Sequence, residues 1–348
     1  MGSKFDSHWR NIRFDTLKRR DAFDTFGMPP LVPPTLVLVG GLFTLFQGSI
    51  NYLTSWNESL YAWAANGVFN NRVTCIMYHP TMNAIIVGGW FTTVNGVNTG
   101  RLVQTTDGVN FTSLNWDASW QNPGRIILKG NDFVVLHGDY SPQPPRVYSG
   151  GSWSQLGTSS WRYYLYSSLN MGLVYLGSDI LACGYDGYNY RYGFSVWNSG
   201  YWRDIAILYE VGYDVILYNG EPYCSSNEYM RKWLGTYGGS AADFGPSLGN
   251  VVAYQLIEFD GLIIGRCQGS PYLVSTDGSS PWATYAGGTN GPITAMAVIN
   301  NRLYIVGTFT TVGSPAVAAV NAAYYDGTAW HAMGTGPSGP YAVGGRAP

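Results

Sequence analysis

Short apolar runs recur along the chain at an almost constant spacing. Leu36-Val-Leu-Val-Gly-Gly41, Ile85-Ile-Val-Gly-Gly89, Phe133-Val-Val-Leu-His-Gly138, Ile180-Leu-Ala-Cys-Gly184, Pro222-Tyr-Cys-Ser225, Leu262-Ile-Ile-Gly265 and Leu303-Tyr-Ile-Val-Gly307 start 49, 48, 47, 42, 40 and 41 residues apart. A period of this length marks a repeat architecture. The same order of signals surrounds each run: a short apolar segment and a turn before it, then a variable loop and two more short strands joined tightly. In the last repeat these are Ile293 to Val298, the turn Asn300-Asn301, Leu303 to Val306, Ala319 to Tyr325, the turn Asp326-Gly327, and Trp330 to Met333. Asp-Gly between apolar runs signals a hairpin, because glycine takes positive φ at no steric cost.

The aromatic of the fourth strand recurs as Phe111, Trp153, Trp202 and Trp282, each preceded by a turn: Asp107-Gly108, Gly150-Gly151, Asn198-Ser-Gly200 and Asp277-Gly278. No repeat holds a long amphipathic helix pattern. Four short strands in each period predict an all-β chain, a seven-bladed β-propeller of four-stranded blades. A β-sandwich with accidental periodicity is the alternative. The first repeat lacks a first strand, since Pro33-Pro34 stands directly before its anchor. Gly339-Pro-Tyr-Ala-Val343 is an orphan strand that matches the entry Gly291-Pro-Ile-Thr-Ala-Met296. Pairing of Pro340 to Val343 with Leu36 to Val39 is therefore expected to close the ring and remove two exposed strand edges. The expected domains are an N-terminal docking arm, 1–30, and the propeller, 31–348.

Val87-Gly-Gly-Trp-Phe-Thr-Thr-Val-Asn-Gly96 and Val306-Gly-Thr-Phe-Thr-Thr-Val-Gly313 resemble the V-G-G-x-F-T-x-x-x-G repeats of Kelch-like propellers, as does Tyr325-Asp-Gly-x-x-Trp330. Repeats two and seven match well, and repeats three to six loosely. The resemblance implies a fold and little about chemistry.

Composition narrows the function. Charged residues make up 11% and the net charge is −2, so the chain lacks the basic field of a nucleic-acid binder, and no nucleic-acid partner is expected. No stretch reaches the roughly 18 apolar residues of a membrane span. The N-terminus has charges and aromatics where a cleavable signal needs an apolar core, so no signal peptide is expected. Cys75, Cys183, Cys224 and Cys267 show no C-x-x-C pair and read as buried thiols. Cys183 and Cys224 fall in equivalent strands of neighbouring repeats, so proximity is open.

The arm carries Lys4, Arg10, Arg13, Lys18, Arg19 and Arg20 interleaved with Asp6, Asp15, Asp21 and Asp24. Trp9, Ile12, Phe23 and Phe26 would share one side of a helix, though Phe14 would not. Met28-Pro29-Pro30 and Pro33-Pro34 read as a stiff spacer. The arm is expected to dock on a partner or another copy, with its own propeller as the alternative; a nucleic-acid role for Lys18-Arg19-Arg20 is weakened by the neighbouring acids.

Little points to catalysis. The four histidines, His8, His79, His137 and His331, are dispersed, and no H-E-x-x-H motif exists. No metal, cofactor or catalytic residue is expected. Copper oxidases with Kelch-like blades require paired histidines and a tyrosine-cysteine arrangement, neither assignable here. Ser275-Thr-Asp-Gly-Ser-Ser-Pro-Trp282 approaches the S-x-D-x-G-x-x-W box of sialidases with its glycine one place early; the arginines that would clamp a carboxylate are scattered in sequence.

The local enrichment is aromatic. Trp161-Arg-Tyr-Tyr-Leu-Tyr166 precedes the first strand of repeat four, and Tyr185-Asp-Gly-Tyr-Asn-Tyr-Arg-Tyr192 follows its second. In an up-and-down blade both segments emerge on one face. Trp161, Tyr163, Tyr164, Tyr185, Asp186, Tyr188, Tyr190, Arg191 and Tyr192 are the expected binding face for a protein partner or a glycan, since tyrosine supplies rigid amphipathic area. Packing between blades is the alternative. Trp116, Trp120 and Tyr140 carry less weight on the same face. The N-x-S/T sequons at Asn57 and Asn110 read as coincidental. The expected function is a non-enzymatic structural and binding component of a larger assembly. A phage virion is the favoured one, tail or capsid-attached, with the arm as anchor and a loop face towards a host receptor. A free glycan-binding lectin or adhesin is the alternative, and a propeller enzyme comes third.

Overall fold

The computed structural model describes residues 36–46, 49–58, 60–137, 144–156, 163–164, 172–177, 179–186, 191–198, 201–206, 212–226, 230–234, 252–337 and 340–346. They belong to one compact unit, residues 35–347, and their regular structure is all β-strand. The arm, with Trp9, Ile12, Phe23 and Phe26, lies outside them.

Among the described residues, seven antiparallel sheets of three strands or more follow one another along the chain, beside two two-stranded pairs, Thr93–Val94 with Val97–Asn98 and Thr311–Val312 with Val317–Ala318. Sheet one is built, in spatial order, from Ala62–Ala65, Ser49–Asn57, Leu36–Phe46 and Pro340–Arg346. Sheet two holds Val73–His79, Ala84–Gly89, Leu102–Thr105 and Thr112–Ser113, and sheet three Pro123–Lys129, Asp132–His137, Arg146–Ser149 and Ser152–Gln155. In sheet four, Leu173–Leu176 and Tyr163–Tyr164 both pair with Asp179–Asp186, which is followed by Arg191–Asn198 and Tyr201–Ala206. Sheet five holds Gly212–Tyr218, Glu221–Ser226 and Met230–Lys232. Sheet six holds Ala253–Phe259, Leu262–Cys267, Leu273–Thr276 and Ala283–Thr284, and sheet seven Ile293–Ile299, Arg302–Gly307, Ala322–Tyr325 and Trp330–Ala332. Successive up-and-down sheets of this size, packed face to face, make a β-propeller arrangement.

The expectation of seven four-stranded blades needs correction. Among the described residues six sheets have four strands or more, so six such blades stand where seven were expected, and sheet five has three strands. After Lys232 the chain runs through Gly235, Gly238, Gly239, Gly245 and Pro246. Residues 235–251, which hold the segment where other repeats place a fourth strand, lie outside the described residues. The strand Pro340–Arg346 pairs antiparallel with Leu36–Phe46, setting Val343 opposite Val39 and Arg346 opposite Leu36.

Each apolar cluster lies between neighbouring sheets. Ile86 and Leu102 of sheet two pack with Ile126, Phe133 and Val135 of sheet three. Ala295, Tyr304 and Val306 of sheet seven pack with Val37, Trp56, Trp63 and Val343 of sheet one. Full burial of side chains of this size contributes about 1.5–3 kcal/mol each. Cys183 and Cys224 share the cluster between sheets four and five, yet all four cysteines are unbridged. Burial pushes the Cys75, Cys183 and Cys267 thiols up to about 12 and the Cys224 thiol well above its ordinary value, so they pack as small apolar groups.

The V-G-G-x-F-T signature has a physical basis. A Cβ on Gly89 would overlap the Arg72 carbonyl, and one on Gly307 the Pro292 carbonyl. The second strand can therefore cross the entry of the first only as glycine. Phe91 and Phe309 are fully buried. The threonines that follow are held by one asparagine clamp in each repeat: the Asn70 Oδ1 accepts from the Thr92 and Thr93 amides at 2.8 and 3.1 Å, and the Asn290 Oδ1 from Thr310 and Thr311 at 2.8 and 2.9 Å.

Candidate functional site

Six of the nine expected binding residues lie on described strands of sheet four. The backbone pairs Tyr163 with Asp186, Tyr164 with Tyr185, Tyr185 with Tyr192 and Asp186 with Arg191. Trp161, Tyr188 and Tyr190 lie outside the described residues. The secondary suggestion for sheet three is corrected. Trp116 is buried, with ring centroids 4.9 Å from Trp120 and 5.1 Å from Trp153, and its Nε1 donates to the Gln121 carbonyl at 3.0 Å. Trp116 is thus core between sheets two and three. Tyr140 lies outside the described residues.

A polar constellation that sequence reasoning missed sits on the first strands. Five of them carry the same irregularity: the register slips between Val73 and Cys75, Pro123 and Arg125, Gly212 and Asp214, Ala253 and Gln255, and Ile293 and Ala295. Such a bulge re-aims side chains and releases ladder amides. Cys75, Arg125, Asp214, Gln255 and Ala295 therefore occupy equivalent places. Three of the five are polar; Asp214 is buried, and Arg125 and Gln255 are half-buried.

Arg125 of sheet three reaches past sheet four to Asp214 of sheet five, with Nη1 to Oδ1 at 2.6 Å and Nη2 to Oδ2 at 3.3 Å. Between them stands Gly172, where a Cβ would overlap the Val215 amide and the Asp214 carboxylate. The Asp214 side chain is 0% exposed. Its carboxylate also accepts from the amides of Val215 and of Leu256 in sheet six, both at 2.8 Å. Burial alone would lower the Arg125 pKa, but the facing carboxylate outweighs it and the net direction is upward. In sheet six, Gln255 Nε2 donates to the Met296 carbonyl at 2.9 Å, and Gln255 Oε1 accepts from the Met296 amide at 3.2 Å and Arg266 Nε at 3.1 Å. Burial lowers the Arg266 pKa to about 10.

A second set of bonds runs from sheets two, five and six to the entry of the next first strand. The Thr74 hydroxyl donates to the Pro123 carbonyl at 2.6 Å, Ser225 to Ala253 at 2.9 Å, and Arg266 Nη1 to Ile293 at 3.3 Å. Together these contacts form a hoop in which side chains of one sheet satisfy backbone groups of its neighbour. The signal for it was present: Arg125, Asp214 and Gln255 recur near the repeat period in otherwise apolar first strands.

Two of the fourth-strand tryptophans, Trp153 and Trp330, have a matching role at the rim, whereas the Trp282 Nε1 has no hydrogen-bond partner. The first two donate from Nε1 to a carbonyl of the preceding sheet: Trp153 to Leu114 at 2.8 Å and Trp330 to Ala286 at 2.8 Å. Trp63 of sheet one makes the same latch to Met333 of sheet seven at 2.6 Å. Glu58 adds to that seam, accepting from Arg302 Nη1 at 2.6 Å and the Tyr324 hydroxyl at 3.2 Å.

Among the described residues, no group of three or more His, Cys, Asp or Glu converges as a metal site, and no helix is long and apolar enough to cross a membrane. No family model and no curated protein matches the chain. Two crystal structures of the extracellular domain of BT4673 from B. thetaiotaomicron are similar to it, with TM-scores of 0.51 and 0.50, identities of 12% and 13%, and 76% and 77% of this chain covered. The chain spans 33% of the length of those domains. The WD40 β-propeller domain of Doa1 gives a TM-score of 0.48 at 12% identity, over 79% of this chain and 86% of that one. The first two likenesses speak to the fold alone, and the third adds no argument.

Proposed function

We propose that the chain is a non-enzymatic β-propeller, a structural and binding component of a larger assembly. The observation that carries this reading is the state of the buried charges. The Asp214 carboxylate receives two guanidinium and two amide donors from its own fold, which leaves it no lone pair for a substrate proton. Its role is to hold sheets three, five and six together. The reading takes the ring as closed. It draws on the pairing of Pro340–Arg346 with Leu36–Phe46 and on the Trp63 latch, which repeats at the seam the bond made by Trp153 and Trp330 elsewhere.

The assembly proposed is a phage virion, with residues 1–30 as the anchor and the aromatic strands of sheet four turned towards a host protein or glycan. Co-sedimentation with the native particle tests it, comparing the full chain with residues 31–348. Entry of the full chain alone into a large complex is the expected result. If both species remain free and monomeric, the anchor is refuted and the free glycan-binding propeller becomes the reading to pursue.

A further inference from the structure

Three arginines and two tryptophans that are distant in sequence meet on the loop face of sheets two and three. In an up-and-down sheet, the connection into the first strand and the connection between second and third strands emerge on the same side. Arg72 and Trp120 stand in connections of the first kind, Trp90 and Arg101 flank the second kind in sheet two, and Arg146 ends it in sheet three. The Arg72 guanidinium lies 3.9 Å from the Trp90 ring centre. The Trp90 amide donates to the Arg72 carbonyl at 2.9 Å and the Gly89 amide to the Arg101 carbonyl at 3.1 Å, so the two arginines bracket one stretch of chain. Arg101 Nη1 donates to the Trp120 carbonyl at 2.7 Å, and the Arg146 guanidinium lies 4.5 Å from the Trp120 ring centre. Two guanidinium–indole stacks, Arg72 on Trp90 and Arg146 on Trp120, thus line this face, with Arg101 tied by backbone bonds to both.

This face is short of acceptors. Among the described residues, none of the three arginines is in a salt bridge. The carboxylate beside Arg146 is that of Asp117, which already accepts from the Ser119 amide and hydroxyl, both at 2.7 Å. Arg72 Nε, Trp90 Nε1 and Arg146 Nε are shielded from water and have no hydrogen-bond partner. A buried polar group without a partner calls for an explanation. The Arg72 guanidinium lies over the Trp90 ring, so the unpartnered donors of these two residues sit together beside one exposed edge of the stack. An anion that draws the guanidinium outward by side-chain rotation gains charge-assisted bonds. All five residues are half-buried, so a ligand can reach them.

We propose that this face binds an acidic saccharide, with carboxylates on the guanidinium groups and sugar rings against the indole faces. Flat rings paired with cations match a polymer that alternates rings and carboxylates. A net charge of −2 provides no general field for polyanions, so recognition must come from discrete contacts. The inference does not depend on the assembly reading, since it concerns a ligand the propeller would take whether anchored or free.

Titration calorimetry on the full chain tests it with an oligogalacturonate, the same oligomer methyl-esterified as its uncharged counterpart, and oligoglutamate as an acidic peptide. Expected is binding of the oligogalacturonate, weakened about tenfold by esterification and by Arg72→Gln or Arg146→Gln. Trp90→Phe keeps the ring and removes one donor, and should weaken binding about threefold. No binding of the acidic sugar, equal binding of the ester, equal binding of oligoglutamate, or indifference to the arginine substitutions would each overturn the proposal. Melting curves check the variants. Arg146 opens a strand, so if its variant fails to fold, Arg72→Gln carries the test.

Discussion

Two sets of arginines in this propeller meet opposite fates. Arg125, on a first strand, and Arg266, on a second strand, donate to Asp214, Gln255 and the Ile293 carbonyl. Arg72, Arg101 and Arg146 lie on the loop face, two of them stacked on tryptophan with a shielded Nε that has no acceptor. Residue type does not separate the sets. The number of acceptors within reach does. A charge whose donors are met inside the fold is part of the fold, whereas one left short points outward to something else. Sheets two and seven repeat the lesson in one motif. Trp90 donates its amide to Arg72, and Thr308 donates its amide to Pro292, both at 2.9 Å. The backbone is the same, and only sheet two places a cation and an indole on it.

The sharpest way to break the comparison is to remove one acceptor from the hoop. Asp214→Ala leaves Arg125 facing no carboxylate and the Leu256 amide without its acceptor, and should cost about 3–5 kcal/mol. Arg72→Gln on the loop face should change stability by no more than about 0.5 kcal/mol. Denaturant unfolding of the two variants checks both values, and equal losses would erase the distinction. A smaller effect sharpens the role of the seam. Trp63→Phe and Trp330→Phe each remove one indole donor and should each cost about 1 kcal/mol if the seam is latched like the junction between sheets six and seven. A Trp63→Phe protein that melts like wild type, beside a destabilised Trp330→Phe, would show that sheets one and seven are not joined in that way.

The smallest effect concerns acid. Turn amides and hydroxyls hold Asp107 and Asp277 at about 2, and the Thr328 and Ala329 bonds hold Asp326 low as well. A carboxyl whose folded pKa is depressed contributes stability above its unfolded value, near 4, and that contribution disappears as pH falls towards the folded value. Melting temperature should therefore decline between about pH 4 and pH 2. Asp107→Asn, Asp277→Asn and Asp326→Asn together should flatten that decline, because asparagine keeps the acceptor and loses the titration. An unchanged slope would assign acid sensitivity to other groups.

The repeat was legible because its signals are local. Glycines at 89 and 307 mark a close backbone crossing, Asp-Gly marks a hairpin, and the fourth-strand tryptophan marks the junction. Sheet five shows three strands among the described residues, and the glycine-rich segment after it lies outside them. The sites were harder to see. Arg125 and Asp214 are equivalent only once the bulge has set the register, and Arg72, Arg101 and Arg146 become neighbours only when two sheets lie side by side. Trp116 looked like a rim residue because loop aromatics read alike, whether they face a ligand or, as here, fill the gap beneath the loop.

Sheet one takes its strands from Leu36–Phe46 and Pro340–Arg346, and this governs when the molecule can finish folding. On the ribosome, residues 36–46 emerge early and wait, with one ladder edge open, until residues 340–346 have been made. A nascent chain cut short anywhere before residue 340 is thus left with one open strand edge, the kind of surface that invites aggregation.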